Sequence, residues 1–226
     1  MKEKNIIIIG GNSGIGKKVK ELLEEEGANV MAFSKSGSGS GQLDITSDFD
    51  TIDGLPEEIH GLVYCPGTIN LKPFHRISLS DFQKDLEINY LGAIKVLQAL
   101  QRPLKKSAEA SVVLFSTVAV QTGMGFHSSI AGAKGAVEGL CRSLAAEWAN
   151  AGIRVNAIAP SLTDTPLAEN LLSSPEKKEG AGKRHPLGRY GEAADMAAAV
   201  IYLLSDRSSW MTGQVLKIDG GLSSVR

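Results

Sequence analysis

Residues 5–16 read Asn5-Ile6-Ile7-Ile8-Ile9-Gly10-Gly11-Asn12-Ser13-Gly14-Ile15-Gly16. Four consecutive isoleucines leave no polar face, the pattern of a strand buried on both sides in a parallel sheet. The glycines then turn the chain, and from Gly14 the apolar Val19, Leu22 and Leu23 fall at helical spacing until Gly27 can end the helix. Passing from strand through turn to helix directs unpaired N–H groups and the positive end of the helix dipole at the turn. That arrangement receives an anion such as a pyrophosphate, and glycine lets the backbone come close to it. Gly16-Lys17 is not followed by Ser or Thr, so this is not a Walker A loop.

Outward from this unit, apolar runs predict strands at Asn29–Phe33, Gln42–Ile45, Gly61–Cys65, Ser111–Phe115, Ile153–Ala159 and Gln214–Ile218. Helical patterns fall at Ser80 to about Leu100 (stopping near Pro103), Ser129–Ala149 and Glu192–Ser205. The alternation predicts an α/β chain: one Rossmann-type doubly wound domain over residues 1–226, its mostly parallel sheet flanked by helices on both faces. Two segments break the rhythm. Ser34–Gln42 (SKSGSGSGQ) is too short for a helical crossover, so a Gly/Ser loop is expected there. Thr165–Arg189 is charged, weakly periodic and carries three prolines, which predicts a lid over the site.

Of 226 residues, 25 are glycine, and 42 % are hydrophobic, enough for a sizeable core. Basic and acidic residues number 24 and 25, so no basic footprint for nucleic acid is expected. Cys65 and Cys141 form no CxxC pair, and the histidines 60, 75 and 185 show no metal-ligand spacing. No apolar run approaches the length of a membrane span, and a soluble cytoplasmic protein without membrane partners is the expectation.

Several motifs in order resemble the classical short-chain dehydrogenase/reductase family, closest to its 3-oxoacyl-carrier-protein-reductase-like branch. The family's glycine turn corresponds to residues 9–16, with Ile9 in place of threonine. Its adenine-contacting pair corresponds to Asp44-Ile45, and its Asn-Asn-Ala-Gly motif is altered to Tyr64-Cys65-Pro66-Gly67. Its helix asparagine corresponds to Asn89, and the strand ending in Pro-Gly to Arg154–Ser161. The resemblance implies a nicotinamide cofactor held by Gly10, Asn12, Ser13, Gly14, Ile15, Gly16, Ser34, Lys35, Asp44, Ile45, Cys65, Pro66, Gly67, Lys134, Pro160, Ser161, Thr163 and Thr165. After the second strand stand Ser34, Lys35 and Ser36 with no carboxylate before Asp44. Two hydroxyls and an ammonium suit a 2′-phosphate, which favours NADP(H) and leaves NAD(H) open. A homodimer or homotetramer, built on the helices around 88–100 and 136–148, is also implied.

The resemblance further implies a catalytic serine, tyrosine, lysine and asparagine. Here the lysine is Lys134, the asparagine Asn89 and the serine position Thr117. The tyrosine position is Ile130, which cannot donate a proton. Three readings stay open. A reductase acting on a small-molecule or thioester carbonyl, or on an activated enone, could use another acid. His127, seven residues before Lys134 and so on roughly the same helix face, occupies the place where enoyl-reductase relatives carry their tyrosine. Alternatively, turnover is impaired by the lost acid, a cost of roughly 10²–10⁴-fold. Or the chain binds the nucleotide as a sensor or partner-regulated scaffold.

Overall fold

The computed structural model describes residues 1–37 and 39–225; Ser38, part of the predicted Gly/Ser loop, and Arg226 lie outside the described residues. Strand β1 (Asn5–Ile9) runs through the glycine turn into α1 (Gly14–Glu25), and Gly27, at φ +78°, ends that helix before β2 (Asn29–Ser34). Gly41–Gln42 forms a two-residue β3, shorter than the predicted strand to Ile45, and pairs parallel with β2 in the register Phe33–Gly41. Among the described residues of the crossover between them there is no helix. After β4 (Gly61–Tyr64) come α2 (Leu79–Leu86), a π-helical turn at Glu87–Leu91, and α3 (Gly92–Lys106). Then follow β5 (Ser111–Phe115), a short α4 (Ala119–Thr122), the long α5 (Ser128–Trp148) and β6 (Arg154–Pro160). The remainder is β7 (Thr163–Asp164), α6 (Pro175–Lys183), β8 (Gly191–Glu192), α7 (Ala193–Leu204) and β9 (Val215–Ile218).

Seven strands form one all-parallel sheet in the order β3-β2-β1-β4-β5-β6-β9, a Rossmann-like doubly wound arrangement, while β7 and β8 pair separately. The four isoleucines divide by parity, as period-2 side chains must. Ile6 and Ile8 pack with Val19 and Leu23 of α1 and Val200 and Leu204 of α7. Ile7 and Ile9 face Val96, Leu100 and Leu104 of α3 and Val137 and Cys141 of α5. Because all strands run the same way, their carboxyl ends meet at one edge, and the loops carrying the predicted site residues meet there too.

Two expectations are corrected. Pro103 does not stop its helix: α3 continues to Lys106. Leu100 and Leu104 are both fully buried and flank the proline, so packing holds the last turn, while the Pro103 carbonyl accepts from Ile59 N at 3.1 Å. The start also moves to Leu79, because Ser78 and Asp81 form a reciprocal capping box. Secondly, residues 165–189 are more ordered than their weak periodicity suggested, holding a 3₁₀ turn at Pro166–Leu171 and then α6, which Ser174 caps and Pro175 begins.

Leu104→Ala removes a fully buried side chain beyond the proline and is expected to cost about 2–5 kcal/mol in urea unfolding. A cost near zero would mean that the last turn is not held by packing.

Candidate active site

At the carboxyl edge of the sheet lies a cavity of about 310 Å³, walled mainly by hydrocarbon from β5, β6, the segment 165–185 and the loop after β4. Of the predicted residues, Ile15, Cys65, Gly67, Thr117, His127, Ile130, Lys134, Pro160, Ser161, Thr163 and Thr165 line it. The structure thus brings one end of the glycine turn and the α5 residues to a common space.

The turn itself is shaped by steric limits. Gly10 and Gly14 adopt φ +81° and +51°, values that L side chains rarely take. A Cβ at Gly16 would overlap the Gly10 carbonyl oxygen, so only glycine lets α1 start against β1. Ser13 is the N-cap residue but makes no side-chain cap hydrogen bond. Pro66 packs against Gly10. At the far end of the turn Asn12 donates to Ser34 Oγ, and the Ser34 and Ser36 hydroxyls are 3.1 Å apart. The Lys35 ammonium sits 2.8 Å from Asp44, which also accepts from Thr46 N and Oγ1. These contacts, the Lys35 ammonium foremost, hold the Asp44 carboxyl far below the usual carboxylate range. Ile45 turns inward, 8 % exposed, into the core beside Tyr64.

On α5, Ile130 and Lys134 lie one turn apart and both are about 6 % exposed. Burial brings Lys134 down from 10.5 to about 8, against the opposing influence of Cys65 and Asp85. No hydrogen-bond or ion-pair partner for its ammonium is found among the described residues. The Cys65 thiol is pushed up to about 12 by burial and stays protonated across the physiological range. His127, the residue preceding α5, shares Nδ1 with the Gly125 carbonyl at 2.7 Å. Thr117 Oγ1 makes only long contacts, 3.5 Å to Pro160 O and 3.3 Å from Ala119 N.

Asn89 stands behind the cavity, within the π turn. Its Nδ2 donates to Thr68 Oγ1 at 2.9 Å and to Asp85 O at 2.8 Å, while its fully buried Oδ1 has no partner. The π turn is braced by the Tyr64 hydroxyl, which donates to Ile88 O at 2.6 Å and fills the space a Cβ at Gly92 would need. A buried acceptor without a donor, an ammonium without an anion and a glycine turn too tight for side chains all fit a ligand with hydroxyls and phosphates. Among the described residues no cluster of His, Cys, Asp or Glu suits a metal ion.

Several cavity residues escaped the sequence reading. Thr68 is on the wall and donates to Asp85 Oδ1 at 2.6 Å; Ser129 donates to its Oδ2, also at 2.6 Å. His185, expected to be isolated, is 4 % exposed and bonds Ser161 Oγ at 2.8 Å and Ala181 O at 2.8 Å, tying the end of α6 to the segment after β6. No periodic signal marks any of these, because each depends on a partner at least 17 residues away or on the helical turn at Ala181–His185.

Residues 40–223 match the profile of the family described as enoyl-(acyl carrier protein) reductase. The chain is 34 % identical over 242 residues to a 3-oxoacyl-[acyl-carrier-protein] reductase of Thermotoga maritima, covering 97 % of each. It superposes on a short chain dehydrogenase family protein from Francisella tularensis with a TM-score of 0.89, at 28 % identity over 98 % of this chain and 99 % of that one. A structure of ElxO with NADP bound gives a TM-score of 0.84 at 25 % identity, over 97 % and 98 % of the two chains. The fold and the relatives define an oxidoreductase of Rossmann-like fold. The chain belongs to the short-chain dehydrogenase/reductase family. No helix among its described residues is long and apolar enough to cross a membrane.

Lys134→Met is expected to stabilise the ligand-free protein by up to about 3 kcal/mol at pH 7. The native lysine releases its proton near pH 8 and the unfolded one near 10.5, so the penalty of burying the charge is full below 8 and fades between those values. Urea midpoints of the two proteins should therefore converge as pH rises. A difference that is absent at pH 7 would refute the buried charge.

Proposed function

We propose that the protein is an NADP(H)-dependent oxidoreductase that reduces a carbonyl or an activated enone, using a proton donor other than a phenol. The observation that carries this reading is the unpartnered Lys134 ammonium in an apolar cavity that adjoins the glycine turn. The Gly10–Gly16 amides and the start of α1 would hold the pyrophosphate, with Asn12 and Ser13 beside it. Ser34 and Lys35 would take the 2′-phosphate, Lys35 turning from Asp44, and Asp44-Ile45 would border the adenine. Cys65, Pro66, Gly67, Pro160, Ser161, Thr163 and Thr165 would enclose the nicotinamide half, with Lys134 on its ribose. When bound, reduced nicotinamide supplies a hydride to an electrophilic carbon.

Negative charge then grows on the substrate oxygen, and donors must be waiting for it. Thr117 offers a hydroxyl that is only loosely engaged. Lys134 contributes positive charge that the hydrocarbon walls leave unscreened. Ile130 stands in the tyrosine's place and offers none. The proton is assigned to His127, which would give it from Nε2 as an imidazolium and recover it from solvent: Nδ1–H is occupied by Gly125 O, and Nε2 has no partner among the described residues. The largely apolar wall suits a substrate that is hydrocarbon around its carbonyl. A dimer or tetramer built on α3 and α5 belongs to the same reading.

NADPH is expected to bind at least tenfold more tightly than NADH, and Lys35→Glu to cancel that preference, in fluorescence titration. In a panel of ketones, aldehydes and enones, His127→Ala should lower kcat by about 10²-fold or more. Unchanged turnover would remove the histidine from the mechanism. If NADPH binds and no compound oxidises it, the protein is a nucleotide sensor, the reading that the apolar Ile130 would then favour.

A further inference from the structure

Asp85 is a carboxylate at 2 % exposure, on a helix whose leucines Leu79 and Leu86 face outward at 75 % and 37 %. Buried carboxylates are rare unless paired. Its two oxygens accept from the hydroxyls of Thr68 and Ser129, and among the described residues no lysine, arginine or histidine lies within ion-pair distance of it. Lys134, also buried, likewise has no ion-pair partner among the described residues. Each isolated charge would be heavily penalised in such surroundings.

A polar chain runs from Asp85 toward Lys134. Asp85 Oδ1 accepts from Thr68, Thr68 Oγ1 accepts from Asn89 Nδ2, and the unpartnered Asn89 Oδ1 opens toward Gly67. A Cβ at Gly67 would lie 3.3 Å from that oxygen and 3.7 Å from Lys134 Nζ, so both atoms border one small space.

We propose that Asp85 is a positioning residue for Lys134, holding the lysine's positive charge in the cavity through the Thr68–Asn89 chain. This inference rests on the oxidoreductase reading for its purpose but not for its test.

Other groups around Lys134 are otherwise engaged. On α2, Asp81 pairs with Lys72, and Lys84 is exposed; in the π turn, Glu87 pairs with Lys95. On α5, Glu138 bonds Ser116 and pairs with Arg142. On the cavity wall, His185 bonds Ser161 and a backbone carbonyl, while His127 and Arg184 bring no carboxylate. The Cys65 thiol remains protonated until about pH 12. Asp85 is therefore the acidic side chain whose hydrogen bonds run toward the cavity. A nucleotide ribose entering beside Gly67 would meet an ammonium kept charged and an oxygen ready to accept.

The test follows the Lys134 titration by 13Cε chemical shift in lysine-labelled protein without nucleotide, the resonance being assigned by its loss in Lys134→Met. Asp85→Asn should lower the midpoint by one unit or more. NADPH affinity should then fall about fivefold or more at pH 8 and stay within twofold at pH 6. A purely structural role for Asp85 would weaken binding equally at both pH values and leave the midpoint in place, which overturns the proposal. Should Asp85→Asn not fold, the native protein still decides: the 13Cγ resonance of Asp85 must shift in step with Lys134, and independence of the two curves refutes the link. If NADPH fails to bind at any pH, the oxidoreductase reading fails while the two titrations still judge the charge coupling.

Discussion

Lys134 carries a charge into a cavity that is mostly hydrocarbon, and an uncompensated buried ion costs several kcal/mol. Much of the surrounding structure is arranged around that constraint. The ammonium is delivered by α5, whose length is secured by core packing of Val137, Cys141 and Trp148 against the sheet. Polar groups that approach it come from different elements: Thr68 after β4, Asp85 on α2, Asn89 in the π turn. Only a parallel sheet with all its carboxyl ends at one edge brings those elements together.

The π turn shows how local geometry serves this. An extra residue in one helical turn re-aims the side chains that follow it. Here it separates the direction of α2, which holds Asp85, from that of α3, which packs Val96, Leu100 and Leu104 under the sheet. Tyr64 fixes the deformation from the strand side, at the cost of requiring glycine at position 92. Site and core are thus braced by the same contact.

The sheet was legible because buried parallel strands announce themselves as unbroken apolar runs, and Ile6–Ile9 has no other economical reading. The missing crossover helix was legible from chain length alone. The continuation of α3 past Pro103 was not, since local propensity disfavours it and only burial of Leu104 restores it. Asp85 was hidden for a related reason: a charge on an amphipathic helix is taken to face water, and the inward turn depends on hydroxyls 17 and 44 residues away. The glycine turn was read from its own pattern and Lys134 from the family resemblance, whereas His185 needed α6 to be folded before it could meet Ser161.

The two-residue β3 has a further consequence at the rim of the sheet. An outermost strand exposes a row of unpaired N–H and C=O groups, and a long flat one can recruit strands from other molecules. Gly41–Gln42 offers almost none of that template, and the glycine-rich loop beside it has little β propensity. Shortening the crossover therefore also blunts one margin of the sheet against self-assembly into extended aggregates.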